Sequence, residues 1–484
     1  MRRPLTVESH VLRPLSFRDP SGFVLTDGER IWRVVDSAAW DDLLCFLDSN
    51  TFRIYRKAGK IVGTRVIDKT ELPFLPHDLR GEQSPTELPL RLLEHERIRF
   101  PSFPYEWPPE MLHAAAELTL DLAESALSEE MGLKDATPYN ILYHHWQPVF
   151  IDILSFEKRD PLDFVWPAAG QFMRTFLLPL LLNKHVGMRL DQIFIVKRDG
   201  LSPEEAEGLC GRWRRFLPPF FSLVWLPAFL SRRRVAHTMR PYQKRRASSP
   251  QQARFILSKT LQNLRKKLDS VQPTEVMRSA WVEYSRCHDE DYTTDKIRLV
   301  VNFMSFHRPR EVLDAGCNTG TFSLLAARSG SRVVAIDADP AVVGVVWRRA
   351  RAERLSVLPL VIDLSRPSPA IGWRNRECAS FESRAHGAFD LVMMLAILHH
   401  LLVTERIPLD EIVDLAAALT SRFALLEFVP PEDPMFRRIA RGREGLFTHL
   451  TTDLFERCCA RRFDLIDKKR LGGTDRWLYF LRKK

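Results

Sequence analysis

The stretch Glu311-Val-Leu-Asp-Ala-Gly-Cys-Asn-Thr-Gly-Thr-Phe322 constrains this chain more than any other. Val312 and Leu313 open it as a short apolar run, the pattern of a strand buried on both faces. The chain then turns through Gly316, Asn318 and Gly320 and continues as Phe322-Ser-Leu-Leu-Ala-Ala-Arg328, the start of an amphipathic helix. Strand, glycine-rich turn and helix make the first unit of a doubly wound α/β domain, where backbone comes close to a bound nucleotide. Glycine suits that turn because a Cβ would block positive φ and hold a ligand away.

The spacing narrows the ligand. A dinucleotide fingerprint needs G-x-G-x-x-G, whereas the series here is Gly316-x-Asn318-x-Gly320, preceded by Asp314. A second strand, Arg332-Val-Val-Ala-Ile-Asp337, ends in an acid about twenty residues past the first glycine, where a carboxylate can accept ribose hydroxyls. Asp339-Pro340 then starts a helix, Asp339 capping free N–H groups and Pro340 suiting the first helical position. Further strands are expected at Leu358–Asp363, Phe389–Leu395 and Phe423–Val429. The end, Phe463–Ile466 and Trp477–Leu481 around Leu471-Gly-Gly-Thr474, reads as two strands joined by a tight turn.

The order D-x-G-x-N-x-G after a strand resembles motif I of the class I S-adenosylmethionine-dependent methyltransferases. The resemblance implies a Rossmann-like domain over 276–484, with a seven-stranded sheet closed by an antiparallel last strand. It implies S-adenosyl-L-methionine as cofactor, lying on the loop of Asp314, Gly316, Cys317, Asn318 and Gly320. Asp337 is then expected on the ribose and Asp363 near the adenine amino group. The segment from Trp281–Tyr284 to Tyr292–Lys296, ahead of the helix that leads to the first strand, is expected to cover the cofactor. Tyr292 and Lys296 are its lid candidates.

Methyl transfer from a sulfonium asks for alignment first. A hydroxyl acceptor also profits from a general base, for which histidine is suited near neutral pH. His399 and His400 follow the fourth strand and are the catalytic candidates, with packing as the competing reading; Glu427 is a second candidate. The Asn/Asp-Pro-Pro-Tyr motif of amino-directed DNA methyltransferases is absent, Leu395-Ala-Ile-Leu398 standing in its place. No Pro-Cys dipeptide serves cytosine attack, and no acidic cluster offers a metal site. O-methylation of a small molecule, sugar or lipid-linked group therefore leads, with N-methylation second.

The N-terminal half reads as two further units, an α+β domain over 1–160 and a helical subdomain with a basic linker over 161–275. Met111 to Met131 carries a strong helical period. In Leu133-Lys-Asp-Ala-Thr-Pro-Tyr-Asn140, Asp135 and Asn140 are spaced as in a kinase catalytic loop, and Asp152 ends a strand a dozen residues later. Leu133-Lys134 replaces His-Arg, and Asp152-Ile-Leu replaces Asp-Phe-Gly. Three readings stay open: a phosphotransferase with a regulatory C-terminal domain, a kinase-like scaffold without that activity, and a loop using Asp and Asn for turn hydrogen bonds. Phe172–Leu182 and Phe216–Leu230 are strongly apolar but broken by prolines and too short to span a bilayer. Buried helices are expected there, with peripheral membrane contact open where the second runs into Arg232-Arg-Arg234.

The net charge of +10 favours polyanions. Nucleic acid is nevertheless disfavoured, because no aromatic interleaving accompanies the basic run from Met239, whose expected form is a solvated linker and a charged helix over Gln251–Leu268. Seven scattered cysteines without zinc spacing suggest reduced thiols in a cytoplasmic protein. Over its whole length the chain resembles a family of rhizobial host-specific nodulation proteins, through Phe103-Pro-Tyr-Glu-Trp107, Leu133–Asn140, Asp314–Gly320 and Leu425-Leu-Glu-Phe-Val-Pro430. That likeness implies a bacterial enzyme acting on a signalling glycan or polysaccharide precursor. Oligomeric state has no readable signal.

Overall fold

The structure, a computed structural model, describes residues 13–16, 18–68, 91–211, 213–234, 246–274 and 290–484. Expectations for the linker at 239–245, for Trp281–Tyr284 and for one of the seven cysteines, Cys287, lie outside the described residues. Seven strands of the C-terminal half form one mixed sheet: β1 (Glu311–Ala315), β2 (Arg332–Asp337), β3 (Val357–Val361), β4 (Phe389–Met394), β5 (Thr420–Phe428), β6 (Phe463–Arg470) and β7 (Trp477–Lys483). Their order is β3-β2-β1-β4-β5-β7-β6. The first five run parallel, and β7 lies antiparallel between β5 and β6.

The burial pattern explains the apolar runs. Every residue of β3 is buried, as are Val312 to Ala315 of β1, because helices cover both faces of a parallel sheet. Strand β6 is the exception: only Phe463 is buried, and the charged residues Asp464, Asp467, Lys468, Lys469 and Arg470 blunt this open edge against further pairing. The strand order reverses between β1 and β4, the switch point at whose carboxyl ends such sheets bind ligands.

The expected helix cap holds: Asp339 accepts from the Ala341 amide at 2.9 Å and starts Pro340–Glu353. One boundary differs from expectation. Tyr292 and Lys296 do not precede the helix leading to β1; they lie in the opening turns of the helix Glu290–His307. Tyr292 and Lys296 are four apart, so they share one helix face and reach the same place.

In the N-terminal half, five short strands form an antiparallel sheet, and the helix Ser37–Asp48 packs against the strand Phe156–Lys158, Phe46 stacking on Phe156. The helix Pro109–Ser128 runs through its core with thirteen buried residues, and ends where Met131 starts a strand paired with Phe156–Lys158. The apolar run at 172–182 lies in continuous helix from Ala169 to Val186, with one wider turn at Met173–Leu177. Among the described residues no helix is long and apolar enough to cross a membrane. The basic helix Pro250–Ser270 is amphipathic, burying Ala253, Leu257, Leu261, Leu264 and Leu268. It packs along Pro109–Ser128, where Arg265 pairs with Asp121 and Glu124.

The two halves share one apolar core, in which Met111 and Leu112 belong to the same cluster as Leu358 and Leu360. Polar contacts fix the junction. Fully buried Glu106 pairs with Arg384 and accepts from Ser368, and Glu110 pairs with Arg348. The Trp347 indole donates to the Trp146 carbonyl at 3.0 Å.

Candidate functional site

The loop after β1 is held by backbone. The amides of Gly316 and Cys317 both donate to the Ile336 carbonyl of β2, at 2.9 and 3.0 Å, and Gly320 donates to the Cys317 carbonyl. Gly316, Asn318 and Gly320 all have positive φ, at 74°, 48° and 83°. A Cβ on Gly316 would stand 2.9 Å from the Ile397 side chain, and one on Gly320 would stand 2.8 Å from Val346. Glycine is therefore required at both positions for conformation and for space.

Asp337 closes the loop. Its two oxygens accept from the Asn318 amide at 2.9 Å and the Asp339 amide at 3.0 Å. Each oxygen keeps a further lone pair, which suits a pair of vicinal ribose hydroxyls. Burial raises its carboxyl above the ordinary range, and the amide donors oppose that shift. Asp363 lies two residues past the end of β3 and is less enclosed. Partial burial works against its charge, but the Ser365 hydroxyl and amide, with Arg366, hold its carboxyl below the ordinary range.

Two other loop residues lie deeper. Asp314 is 2% exposed and accepts from the Ser323 hydroxyl at 2.5 Å, which ties β1 to the following helix. Burial pushes its carboxyl up to about 6, with Ser323 and Lys296 opposing. The Cys317 thiol is buried and raised well above its ordinary value by desolvation, then by Asp337 and Asp314.

Beyond β5 a buried charge network forms where the sequence offered scattered residues. Glu427, fully buried, pairs with Lys296 at 2.5 Å and accepts from the Tyr292 hydroxyl at 2.6 Å. Lys296 and Arg476 each donate to that hydroxyl at 3.1 Å. Arg476 also grips Asp433 with two bonds, of 2.8 and 3.1 Å. Burial opposes ionisation of Glu427, but Lys296 and Arg476 outweigh it and hold the carboxyl below its usual range. The Lys296 ammonium also stands 5.1 Å over the Phe322 ring, so the network reaches the helix that follows the glycine loop.

A cavity of about 660 Å³ opens on this network, lined by Tyr292, Asp433, Met435, Gly472, Thr474 and Arg476 among others. Arg476 and Asp433 were not singled out from sequence. Asp433 caps the helix Pro434–Ala440, and Arg476 sits in the turn before β7. The partial signal was Glu427, an acid ending an otherwise apolar strand.

His399 and His400 stand on the short helix Leu398–Val403 with ring centroids 4.2 Å apart. His399 is 1% exposed. His400 is more open; burial, then the charge of Arg476, lowers it from 6.5 to about 4, so its imidazole is neutral at pH 7. The kinase-like residues form a separate cluster. Asp152 pairs with Arg33 at 2.5 Å and accepts from Ser155, and Asn140 donates to Ser155. Burial raises the Asp135 carboxyl, as does the nearby Asp152 charge. No group of three or more potential metal ligands occurs among the described residues.

The model of a methyltransferase domain matches residues 289–436. The Nodulation protein NoeA of Rhizobium meliloti (strain 1021) is 30% identical over 469 residues, covering 96% of this chain and 94% of the relative. The chain belongs to the NoeA nodulation-protein family. It is an S-adenosylmethionine-dependent methyltransferase, and the carboxylate and backbone of its glycine loop fit that cofactor. Solved structures similar to it include the N-methyltransferase NodS of Bradyrhizobium japonicum WM9, at 14% identity over 40% of this chain and 98% of that one, with a TM-score of 0.30. The magnesium protoporphyrin IX methyltransferase ChlM of Synechocystis PCC 6803 is 19% identical over 40% and 86% of the two chains, with a TM-score of 0.30. The bifunctional kinase-methyltransferase WbdD is 21% identical over 40% of each chain, with a TM-score of 0.27.

Proposed function

We propose that the enzyme methylates a hydroxyl of a polar small molecule or glycan, a nodulation-type signal being one such acceptor. The observation that carries this reading is the cavity beyond β5, whose wall mixes Glu432, Arg470, Thr474, Asp475 and the peptide groups of Gly472 and Gly473. Carboxylate, guanidinium and amide groups side by side suit an acceptor with many hydroxyls, since each hydroxyl both donates and accepts.

Gly316, Asn318 and Gly320 would hold the cofactor with Cys317, Asp337 would take its ribose and Asp363 its adenine end. When bound, S-adenosylmethionine supplies an electrophilic methyl on a good leaving group. Asp314 acts as a positioning residue, fixing the loop through Ser323. His400 is neutral at pH 7 and feels the charge of Arg476, a cavity residue; it serves as the base, taking the hydroxyl proton on a ring nitrogen as oxygen gains the methyl. His399, nearly without exposure, supports it through packing.

Residues 276–484 carry the transfer on this reading, and the units over 1–160 and 161–275 select or present the acceptor. The bond from Arg189 to the Ala338 carbonyl, 2.9 Å long and one residue past Asp337, supports a role beside the cofactor. Phosphotransfer is the weaker reading, because Arg33 and Ser155 already engage the Asp152 carboxylate. The six described cysteines are free thiols, which suits the cytoplasm. Incubation with methyl-labelled S-adenosylmethionine and a panel of glycans, phenols and amines tests the proposal. Label on glycan hydroxyls is expected; label on amines alone would overturn it.

A further inference from the structure

Between Glu207 and Asp269 the chain has fifteen Lys or Arg residues and no Asp or Glu. Because the whole chain carries a net charge of only +10, this stretch more than accounts for it and the remainder is net acidic. A mere compositional bias toward arginine would spread the excess. Here it is concentrated, and exposed apolar side chains stand in the same stretch.

The helix Pro203–Cys210 and the turn Arg214–Phe216 pack against the helical segment from Phe221 to Arg234. On the outside of this unit Trp213 is 86% exposed, Leu217 58% and Phe216 54%, with Phe221, Leu226 and Leu230 also exposed. Isolated exposed apolar residues are ordinary, but an indole, two phenyl rings and three leucines on one small unit are not. Phe221, Trp225 and Phe229 stack along the segment at centroid distances of 5.1 and 5.2 Å, which stiffens its aromatic ridge. The guanidinium of Arg214 donates to the His185 carbonyl at 2.8 Å, and that of Arg232 pairs with Glu207 at 2.6 Å. Cations thus stand at both ends of the ridge.

We propose that this unit, Leu209–Gly211 with Trp213–Arg232, docks the enzyme on an anionic lipid bilayer. Aromatic and leucine side chains enter the headgroup boundary while the basic stretch is drawn to lipid phosphates, the two contributions that interfacial segments combine. Charge complementarity selects the occupant: a protein partner would need a matching acidic face, whereas an anionic bilayer supplies one everywhere. Nucleic acid would use the cations but leave the apolar ridge without a partner. The inference is independent of which acceptor is methylated.

Flotation of the full-length protein with vesicles tests it, comparing neutral phosphatidylcholine with vesicles containing about one-third phosphatidylglycerol. The protein is expected to float with the anionic vesicles and to be released as salt rises. Trp213→Ser combined with Phe216→Ser should lower binding at least about tenfold, since both side chains insert. Both sites are exposed, so the fold and cofactor binding should be retained, which calorimetry of the variant checks. Equal flotation with both vesicle types, flotation unaffected by the double substitution, or tighter binding to duplex RNA than to anionic vesicles would each overturn the proposal.

Discussion

Glu427→Gln isolates what the buried network contributes. The carboxylate and the Lys296 side chain are 0% and 5% exposed, so neither charge has water to fall back on. In the variant Arg476 keeps its two bonds to Asp433, whereas Lys296 keeps only neutral partners, the Tyr292 hydroxyl, the Phe322 ring and the new amide oxygen. The loss therefore falls on Lys296, an ammonium left buried without a contacting counter-charge. Removing one partner of a buried pair costs roughly 3–5 kcal/mol. Because the two halves share one core, the 484-residue chain melts as a whole; each kcal/mol then moves the midpoint by about 1 °C, so a fall of roughly 3–5 °C is expected. Removing both charges, as Lys296→Met with Glu427→Gln, should restore at least half of the loss, because the neutral pair has no stranded ion. Differential scanning calorimetry at pH 7 measures all three proteins. A single variant within about 1 kcal/mol of the parent, or a double variant no more stable than the single, would refute the electrostatic account.

Asp337→Ala should weaken S-adenosylmethionine binding by about 1–3 kcal/mol, the scale of hydrogen bonds to a charged group; unchanged affinity by calorimetry would remove Asp337 from the site. His400 gives a pH signature. Its folded value of about 4 lies below the unfolded 6.5, so between them the unfolded chain binds a proton that the folded one refuses, and stability is lost as pH falls through that window. The displacement amounts to roughly 3 kcal/mol. The stability difference between wild type and His400→Gln should shift by about that much from pH 7 to pH 4, and a difference constant with pH would show that the ring is not held neutral.

The cofactor half was legible because its signals are local. Val312-Leu313 and Gly316-x-Asn318-x-Gly320 encode a buried strand and a positive-φ turn within nine residues. Asp339-Pro340 encodes a helix start in two. The network beyond β5 was not legible as a unit, because it joins Tyr292, Lys296, Glu427, Asp433 and Arg476 across nearly two hundred residues. Only folding brings the last turn of the chain against the helix before β1, and no spacing rule spans that gap. Asp314 shows a subtler limit. As an acid beside a glycine loop it reads as a ligand contact, but its partner is Ser323, the third residue of the next helix. In the N-terminal half, the pattern of Asp135, Asn140 and Asp152 was visible, but that Arg33 would engage Asp152 depends on pairing across 119 residues.

Calorimetric titration of the full-length protein with S-adenosylmethionine, with ATP–Mg²⁺ as a parallel titrant, tests the central claim most directly. Saturable binding of S-adenosylmethionine, at micromolar affinity and without any need for ATP, is the predicted result. Binding of ATP–Mg²⁺ alone would contradict it and move the active centre to Asp135, Asn140 and Asp152.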